Sequence, residues 1–216
     1  MKKYSSILFD LDGTLIDSGV GVTNSVAYAL EKFNLYVENR TLLACFIGPP
    51  LMYSFQNFYN FSEEKAIKAI EYYREYYTQK GIHEYEVYKG MAEVLMALRD
   101  AGYKLYVATS KPEEFARAIL DEAGLSQYFD YIAGASMDER TRSTKEQVIE
   151  YALSTAQIEP STAIMIGDRY HDIDGAHKFG MDSVGVLFGY GSYYELRAHK
   201  ATYMVENPYD IVALLV

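Results

Sequence analysis

Short apolar runs recur along the chain, and each gives way to a stretch whose apolar positions fall at helical spacing. Residues 6–9 (Ser-Ile-Leu-Phe), 104–108, 131–134, 163–166, 183–187 and 202–205 have the length and composition of buried strands. Between most of them the chain carries readable helix ends. Pro112 stands where a first helical turn opens, Glu113 and Glu114 complement the helix dipole there, and Gly124 closes the element. Residues 90–100 read as a helix stopped by Gly102, and Asn207-Pro208 supplies the N-cap and first position of a last short helix. Strands alternating with helices predict an α/β fold with a parallel, doubly wound sheet and right-handed crossovers.

One stretch breaks the alternation. From residue 17 to residue 84 the periodicity is helical throughout, with its clearest helix over 62–80, where Ile67, Ile70, Tyr73 and Tyr77 share an apolar face. A long helical excursion between the first strand and the next predicts an inserted helical domain at 17–84 and a core made of 1–16 and 85–216. No repeat, low-complexity tract or Gly/Ser linker interrupts either part.

Composition narrows the class. The chain has 216 residues, half of them hydrophobic, and a formal net charge of −10. That charge speaks against a nucleic-acid or anionic-membrane surface, both of which select clustered Lys and Arg. It also means that an anionic substrate needs a local cation. The single cysteine, Cys45, forms no internal disulfide and, in an apolar segment, reads as buried and inert. The start, Met-Lys-Lys-Tyr-Ser-Ser-Ile-Leu-Phe, is too short in apolar residues for a signal peptide, and no later run approaches the about 18 residues of a membrane span. A soluble cytoplasmic protein, monomer or homodimer, is the expectation. The chain has 22 tyrosines, many at helical spacing (Tyr72, Tyr73, Tyr76, Tyr77), which suit packing surfaces.

Candidate chemistry clusters at predicted strand ends. Asp10 and Asp12, in Phe-Asp-Leu-Asp-Gly-Thr, lie two apart just after the first strand, so their side chains converge, and Gly13 permits a tight turn behind them. Two adjacent carboxylates repel unless one is protonated or a cation sits between them. Asp168 follows the run 163–166, and Asp172, four residues on, returns to the same helical face. Oxygen-only ligands at several positions suit Mg²⁺. Thr109 and Ser110 close a middle strand and open a helix, where hydroxyls and free N–H groups can cradle phosphate. Lys145 sits early in the helical stretch 143–153, against the dipole, and so calls for an anionic partner. Each feature alone also fits a capping aspartate, a common N-cap or a solvated lysine.

Together and in this order, Asp-x-Asp-Gly-Thr, the hydroxyl of Thr109, Lys145 and Gly-Asp-x-x-x-Asp resemble the four motifs of the haloacid dehalogenase (HAD) superfamily. The resemblance spans nearly the whole chain and implies a Rossmann-like core with an α-helical cap inserted after the first motif. Within the superfamily the chain is most similar to the phosphoglycolate phosphatase-like branch, including Ile47-Gly48-Pro49-Pro50 and Gly185-Val186 with Gly189-Tyr190-Gly191.

The resemblance implies a role for each position. Asp10 would be a nucleophile forming a phosphoaspartyl intermediate, and Asp12 the general acid and then base. Gly13, Thr109, Ser110 and Lys145 would hold the phosphoryl oxygens. Mg²⁺ would rest on Asp10, Asp168 and Asp12, the last through its backbone carbonyl, with Asp172 ligating it or orienting its waters. Asp12 separates the chain from the haloacid dehalogenases proper, which lack this aspartate. The substrate would then be a small phosphate monoester, such as phosphoglycolate or a nucleoside 5′-monophosphate. A β-phosphoglucomutase-like mutase, or a binding protein on the same fold, are the alternatives. Flanking residues leave choices open: Asp174 against Asp172 at the metal; His171 in solvent or in local hydrogen bonds; Lys111 on phosphate or in solvent; Arg142 on substrate or on a surface acid.

Overall fold

The computed structural model describes every residue except 1, 2 and 139. Lys2 of the basic start and Glu139 of the loop before Lys145 therefore lie outside the described residues. The chain divides into two compact units, one built from residues up to Ile16 with Val87–Val216, the other from Asp17–Glu86.

In chain order the elements are β1 (Ser6–Phe9), β2 (Ile16–Asp17), α1 (Gly19–Glu31), α2 (Leu51–Tyr59), α3 (Glu63–Tyr77), β3 (Glu86–Val87), α4 (Met91–Asp100), β4 (Lys104–Pro112), α5 (Glu113–Glu122), β5 (Tyr131–Ala135), α6 (Lys145–Thr155), β6 (Ala163–Gly167), α7 (Tyr170–Lys178), β7 (Asp182–Val186), α8 (Tyr193–Ala198), β8 (Tyr203–Val205) and α9 (Pro208–Leu215).

The larger unit is a parallel sheet in the order β5-β4-β1-β6-β7-β8. This is the predicted α/β architecture. β1 lies at its centre, paired to β4 on one side (Ser6 opposite Lys104) and β6 on the other (Ser6 opposite Ala163). A strand buried on both faces needs a continuous apolar run, which Ser-Ile-Leu-Phe supplies. Alternate residues build one core layer, in which Leu8, Ala108, Ala133 and Met165 pack with Val148, Ile149 and Ala152 of α6 and Ala176 of α7. Truncating Leu8, which is fully buried, to alanine would cost about 2–5 kcal/mol. Successive strands leave β1 in opposite directions, so the order reverses at β1, and the crevice beyond its carboxyl end is where such sheets bind ligands.

The smaller unit is helical. α3 opens on Ser62, whose side chain accepts from the Lys65 N–H, and buries Ala66, Ala69, Ile70, Tyr73 and Tyr77. Ile67, expected on that face, is exposed; alanines at 66 and 69 allow close helix approach and rotate the apolar stripe away from it. Cys45, expected to be buried, is exposed, since the 3₁₀ turn Arg40–Phe46 points Leu43 and Phe46 inward instead. Aromatic rings fill the interior, with Phe46 edge-on to Phe55 at 5.0 Å and Phe33 edge-on to Phe61 at 5.1 Å.

Pro112 also departs from expectation. It is the last residue of β4 and the N-cap of α5, with ψ 132°, rather than its first helical residue. Among the described residues no helix is long and apolar enough to cross a membrane.

Candidate active site

The carboxyl ends of β1, β4 and β6 carry the side chains that the sequence singles out. Asp10 follows β1, and its N–H donates to the Ile166 carbonyl of β6 at 2.9 Å. Behind it the chain turns tightly, with the Leu15 and Ile16 N–H groups both donating to the Leu11 carbonyl. Gly13 sits in this turn at φ 83°, a left-handed conformation in which a Cβ would also overlap Asp168 Oδ2.

Lys145 is the first residue of α6. Thr144 and Gln147 close a capping box in front of it, which fixes where the helix starts. Its ammonium is buried between Asp10 Oδ1 at 2.7 Å and Asp172 Oδ1 at 2.8 Å, and donates to the Ala108 carbonyl at 2.9 Å. Burial opposes the charge, but Asp10 and Asp172 outweigh it and hold the lysine above its ordinary value. For Asp10 burial dominates and pushes the carboxyl up to about 6, against the pull of Lys145. The two directions compete for one proton. Three acceptors surround the ammonium, so the proton stays on Lys145. The lysine stem reaches this spot past α7 because residue 175 is glycine: a Cβ there would lie 2.9 Å from Ile149 Cδ1 and 3.2 Å from Lys145 Cγ.

Asp168 and Asp172 come from the β6–α7 junction. Asp172 Oδ2 accepts from the Arg169 N–H at 3.0 Å, and Asp168 Oδ2 from the Tyr190 N–H at 2.7 Å. Glycines let the backbone crowd these carboxylates. A Cβ on Gly167 would overlap Asp172, and one on Gly189 or Gly191 would overlap Asp168. Burial first, then the charges of Asp172 and Asp10, raise the Asp168 carboxyl well above its ordinary value.

Asp10, Asp168 and Asp172 each place a carboxylate oxygen within 4.8 Å of the others. Asp168 Oδ1 is buried without a hydrogen-bond partner, and Oδ1 of Asp10 and of Asp172 meets Lys145 without hydrogen-bond geometry. One buried ammonium cannot balance three buried carboxylates. Hard oxygen donors with spare lone pairs and excess negative charge fit a divalent cation such as Mg²⁺.

The remaining predicted residues sort clearly. Thr109 is buried in β4, just before the register shift, and its Oγ1 accepts from the Lys111 N–H at 3.2 Å; Ser110 beside it is half-buried. Asp12 is buried, but its carboxylate turns to Lys111 Nζ, 3.0 Å away, and is not part of the three-carboxylate cluster. Lys111 is thus not in solvent. Arg142 is committed elsewhere: it pairs with Glu113 at 3.1 Å, donates to the Gly134 carbonyl at 2.6 Å and covers the Tyr151 ring. Asp174 pairs with His199 at 2.8 Å. The His171 ring lies 3.8 Å from that of Tyr170, and burial, then the charges of Lys145 and Arg169, push it down to about 4. The sequence reading assigned no role to Gly167, Gly175, Gly189 or the Tyr190 N–H; a glycine reveals its neighbour only once the fold is closed.

The switch point of a doubly wound sheet is where ligands bind, and acidic and basic groups gathered there suit the positioning and charge stabilisation of phosphoryl transfer. Residues 7–186 match the family model of the haloacid dehalogenase-like hydrolases. A predicted phosphatase from Clostridium acetobutylicum has a crystal structure that superposes with a TM-score of 0.95 at 48% identity, over 98% of this chain and 97% of that one. A 5′-nucleotidase from Pseudomonas aeruginosa is 42% identical over 93% of this chain and 90% of its own length. Tyrosine-protein kinase PtkA from Mycobacterium tuberculosis is 40% identical over 86% of this chain, which spans 62% of that protein. The chain belongs to the haloacid dehalogenase-like hydrolases, as one of their phosphatases.

Proposed function

We propose that this chain hydrolyses a small phosphate monoester with Mg²⁺, through a phosphoaspartyl intermediate on Asp10. The observation that carries this reading is the Asp10 carboxylate, held 2.7 Å from the buried Lys145 ammonium beside Asp168 and Asp172. Asp10, Asp168, Asp172 and the Asp12 backbone carbonyl would hold the ion, which supplies positive charge against that of the transferring phosphoryl group.

The chain's own groups do the rest. Lys145 fixes the attacking carboxylate and neutralises part of the charge on the equatorial oxygens. The Thr109 hydroxyl, Ser110 and the turn at Gly13 hold those oxygens. Asp12 gives a proton to the leaving oxygen and takes one from the water that later attacks phosphorus. Such positioning and charge stabilisation provide most of the rate in phosphoryl transfer.

Nucleoside 5′-monophosphates are the first class to test, because the 5′-nucleotidase relative is 42% identical over nearly full length. The experiment is phosphate release from a panel of monoesters with Mg²⁺ and with excess chelator. Chelator-sensitive release confined to nucleotides supports the reading, and release insensitive to chelator overturns its metal requirement. Mass spectrometry of the rapidly quenched protein tests the intermediate: a phosphoryl adduct on Asp10 is expected, and its absence under turnover argues for direct attack by water.

A further inference from the structure

Lys111 is a buried cation with no part in the chemistry above. Its side chain is 6% exposed and its Nζ lies 3.0 Å from Asp12 Oδ1. The local chain explains how it comes to be there. After Thr109 the pairing of β4 with β5 slips, since Thr109 stands opposite Gly134 and Pro112 opposite Ala135. Ser110 and Lys111 are therefore extra residues, and a bulge of this kind re-aims a side chain. The bulge passes so close to β5 that a Cβ on Gly134 would lie 2.5 Å from Glu113 Cα and 2.8 Å from the Lys111 carbonyl oxygen. The bond from the Lys111 N–H to Thr109 Oγ1 fixes the turn.

Taking an ammonium out of water costs several kcal/mol, so a lysine is placed this way only against an anion that offsets the cost. Asp12, once it has given up its proton, is such an anion. Its Oδ1 is buried, and it meets Lys111 as an ion pair without hydrogen-bond geometry.

We propose that Lys111 is a positioning residue for Asp12. It holds the carboxyl group in one orientation and balances the charge that Asp12 acquires on giving up its proton. The inference rests on the phosphatase reading above. In the first half-reaction an Asp10 oxygen bonds to phosphorus as the bond to the leaving oxygen breaks. The electron pair stays on that oxygen, which takes the proton of Asp12 and leaves a carboxylate beside Lys111. In the second half a water oxygen bonds to phosphorus, the Asp10–phosphorus bond breaks, and a proton of that water returns to Asp12.

Lys111 therefore matters in proportion to the leaving group's need for a proton. An alkoxide needs one, whereas p-nitrophenolate departs without it. The value of kcat/KM isolates this step, because it reports events only through departure of the leaving group.

The test compares Lys111→Met with the unaltered protein on an alkyl phosphate and on p-nitrophenyl phosphate, with Mg²⁺ saturating. The alkyl ester is expected to lose at least about tenfold more kcat/KM than the aryl ester, general acid catalysis being worth 10² or more. Lys111→Arg should recover part of the loss. In an Asp12→Asn background the same Lys111→Met change should leave both values unaltered, a double-mutant test of coupling. Equal losses on the two esters, or an undiminished loss in the Asp12→Asn background, overturn the proposal and mark Lys111 as scaffold or phosphate contact. If Lys111→Met does not fold, Lys111→Arg carries the comparison: a smaller alkyl-selective loss supports the proposal and an equal loss overturns it. The alkyl ester is taken from the class that the monoester panel shows to be hydrolysed; if the unaltered protein releases phosphate from no member of that panel, the phosphatase reading falls and the proposal with it.

Discussion

Lys145 Nζ lies 2.7 Å from Asp10 Oδ1 at the carboxyl end of the central strand, and Asp172 Oδ1 lies 2.8 Å from the same nitrogen. One ammonium thus joins β1 to the β6–α7 junction and keeps two buried carboxylates apart in charge. Replacing it by methionine keeps most of the volume and removes the charge. Lys145→Met should destabilise the metal-free protein by about 3–5 kcal/mol, as expected when one partner of a buried pair is lost. Urea unfolding in chelator measures this, and an unchanged midpoint would show that the ammonium is dispensable to the fold.

Asp10→Asn keeps the shape of the side chain and removes its nucleophilic oxygen. Turnover of every phosphate monoester should fall by about 10⁴ or more, with an unaltered far-UV circular dichroism spectrum. Retention of even a tenth of the activity would assign the attacking group elsewhere.

The metal-free protein should lose stability as pH rises. Burial pushes Asp10 up to about 6 and Asp168 well above its ordinary value. A carboxyl group whose pKa is raised on folding binds more protons in the native than in the unfolded state between the two values. Its stabilisation is full below the unfolded value and is lost as pH rises through the folded one. Mg²⁺ displaces those protons, so its effect on Tm should be larger at pH 7.5 than at pH 5. Thermal scans with Mg²⁺ and with chelator at both pH values check this; equal increments would mean that the ion does not compete with these protons.

Gly189→Ala puts a methyl group into Asp168 and into the Gly13 carbonyl. The expected result is a 10–100-fold weaker apparent Mg²⁺ affinity, about the cost of disturbing groups that orient metal ligands. Gly124→Ala is the control: its φ is 69°, but nothing lies within 4 Å of the added carbon. Stability should fall by about 1 kcal/mol with Mg²⁺ affinity unchanged. Equal metal titrations for the two variants would detach the Gly189–Tyr190–Gly191 segment from the metal site.

Arg142 and Arg117 donate to the Gly134 and Ile132 carbonyls of the outer strand β5, and Glu113 pairs with both. Edge carbonyls occupied by guanidinium groups are closed to another strand. Arg142→Ala combined with Arg117→Ala should leave KM unchanged and raise self-association in light scattering. A large rise in KM would restore Arg142 to the substrate.

Much of this protein is fixed locally. Ser-Ile-Leu-Phe is apolar enough only for a strand buried on both faces, and Asp10 and Asp12 must follow its end whatever the rest of the chain does. The helix starts at Ser62 and Asn207 are legible because a cap is a contact between residues two or three apart. Tertiary structure decided what depends on partners distant in sequence. Lys111 had two open destinations, and a bulge against Gly134 sent it to Asp12. Arg142 was drawn to Glu113, 29 positions away. Cys45 and Ile67 face outward because neighbouring aromatic rings and alanines took the interior. Gly167, Gly189 and Gly191 belong to motifs legible in the sequence, but why glycine is needed there and at Gly175 shows only once another chain segment packs where their side chains would be. Periodicity and capping are encoded residue by residue along the chain, whereas close packing and the pairing of buried charges exist only once distant segments meet.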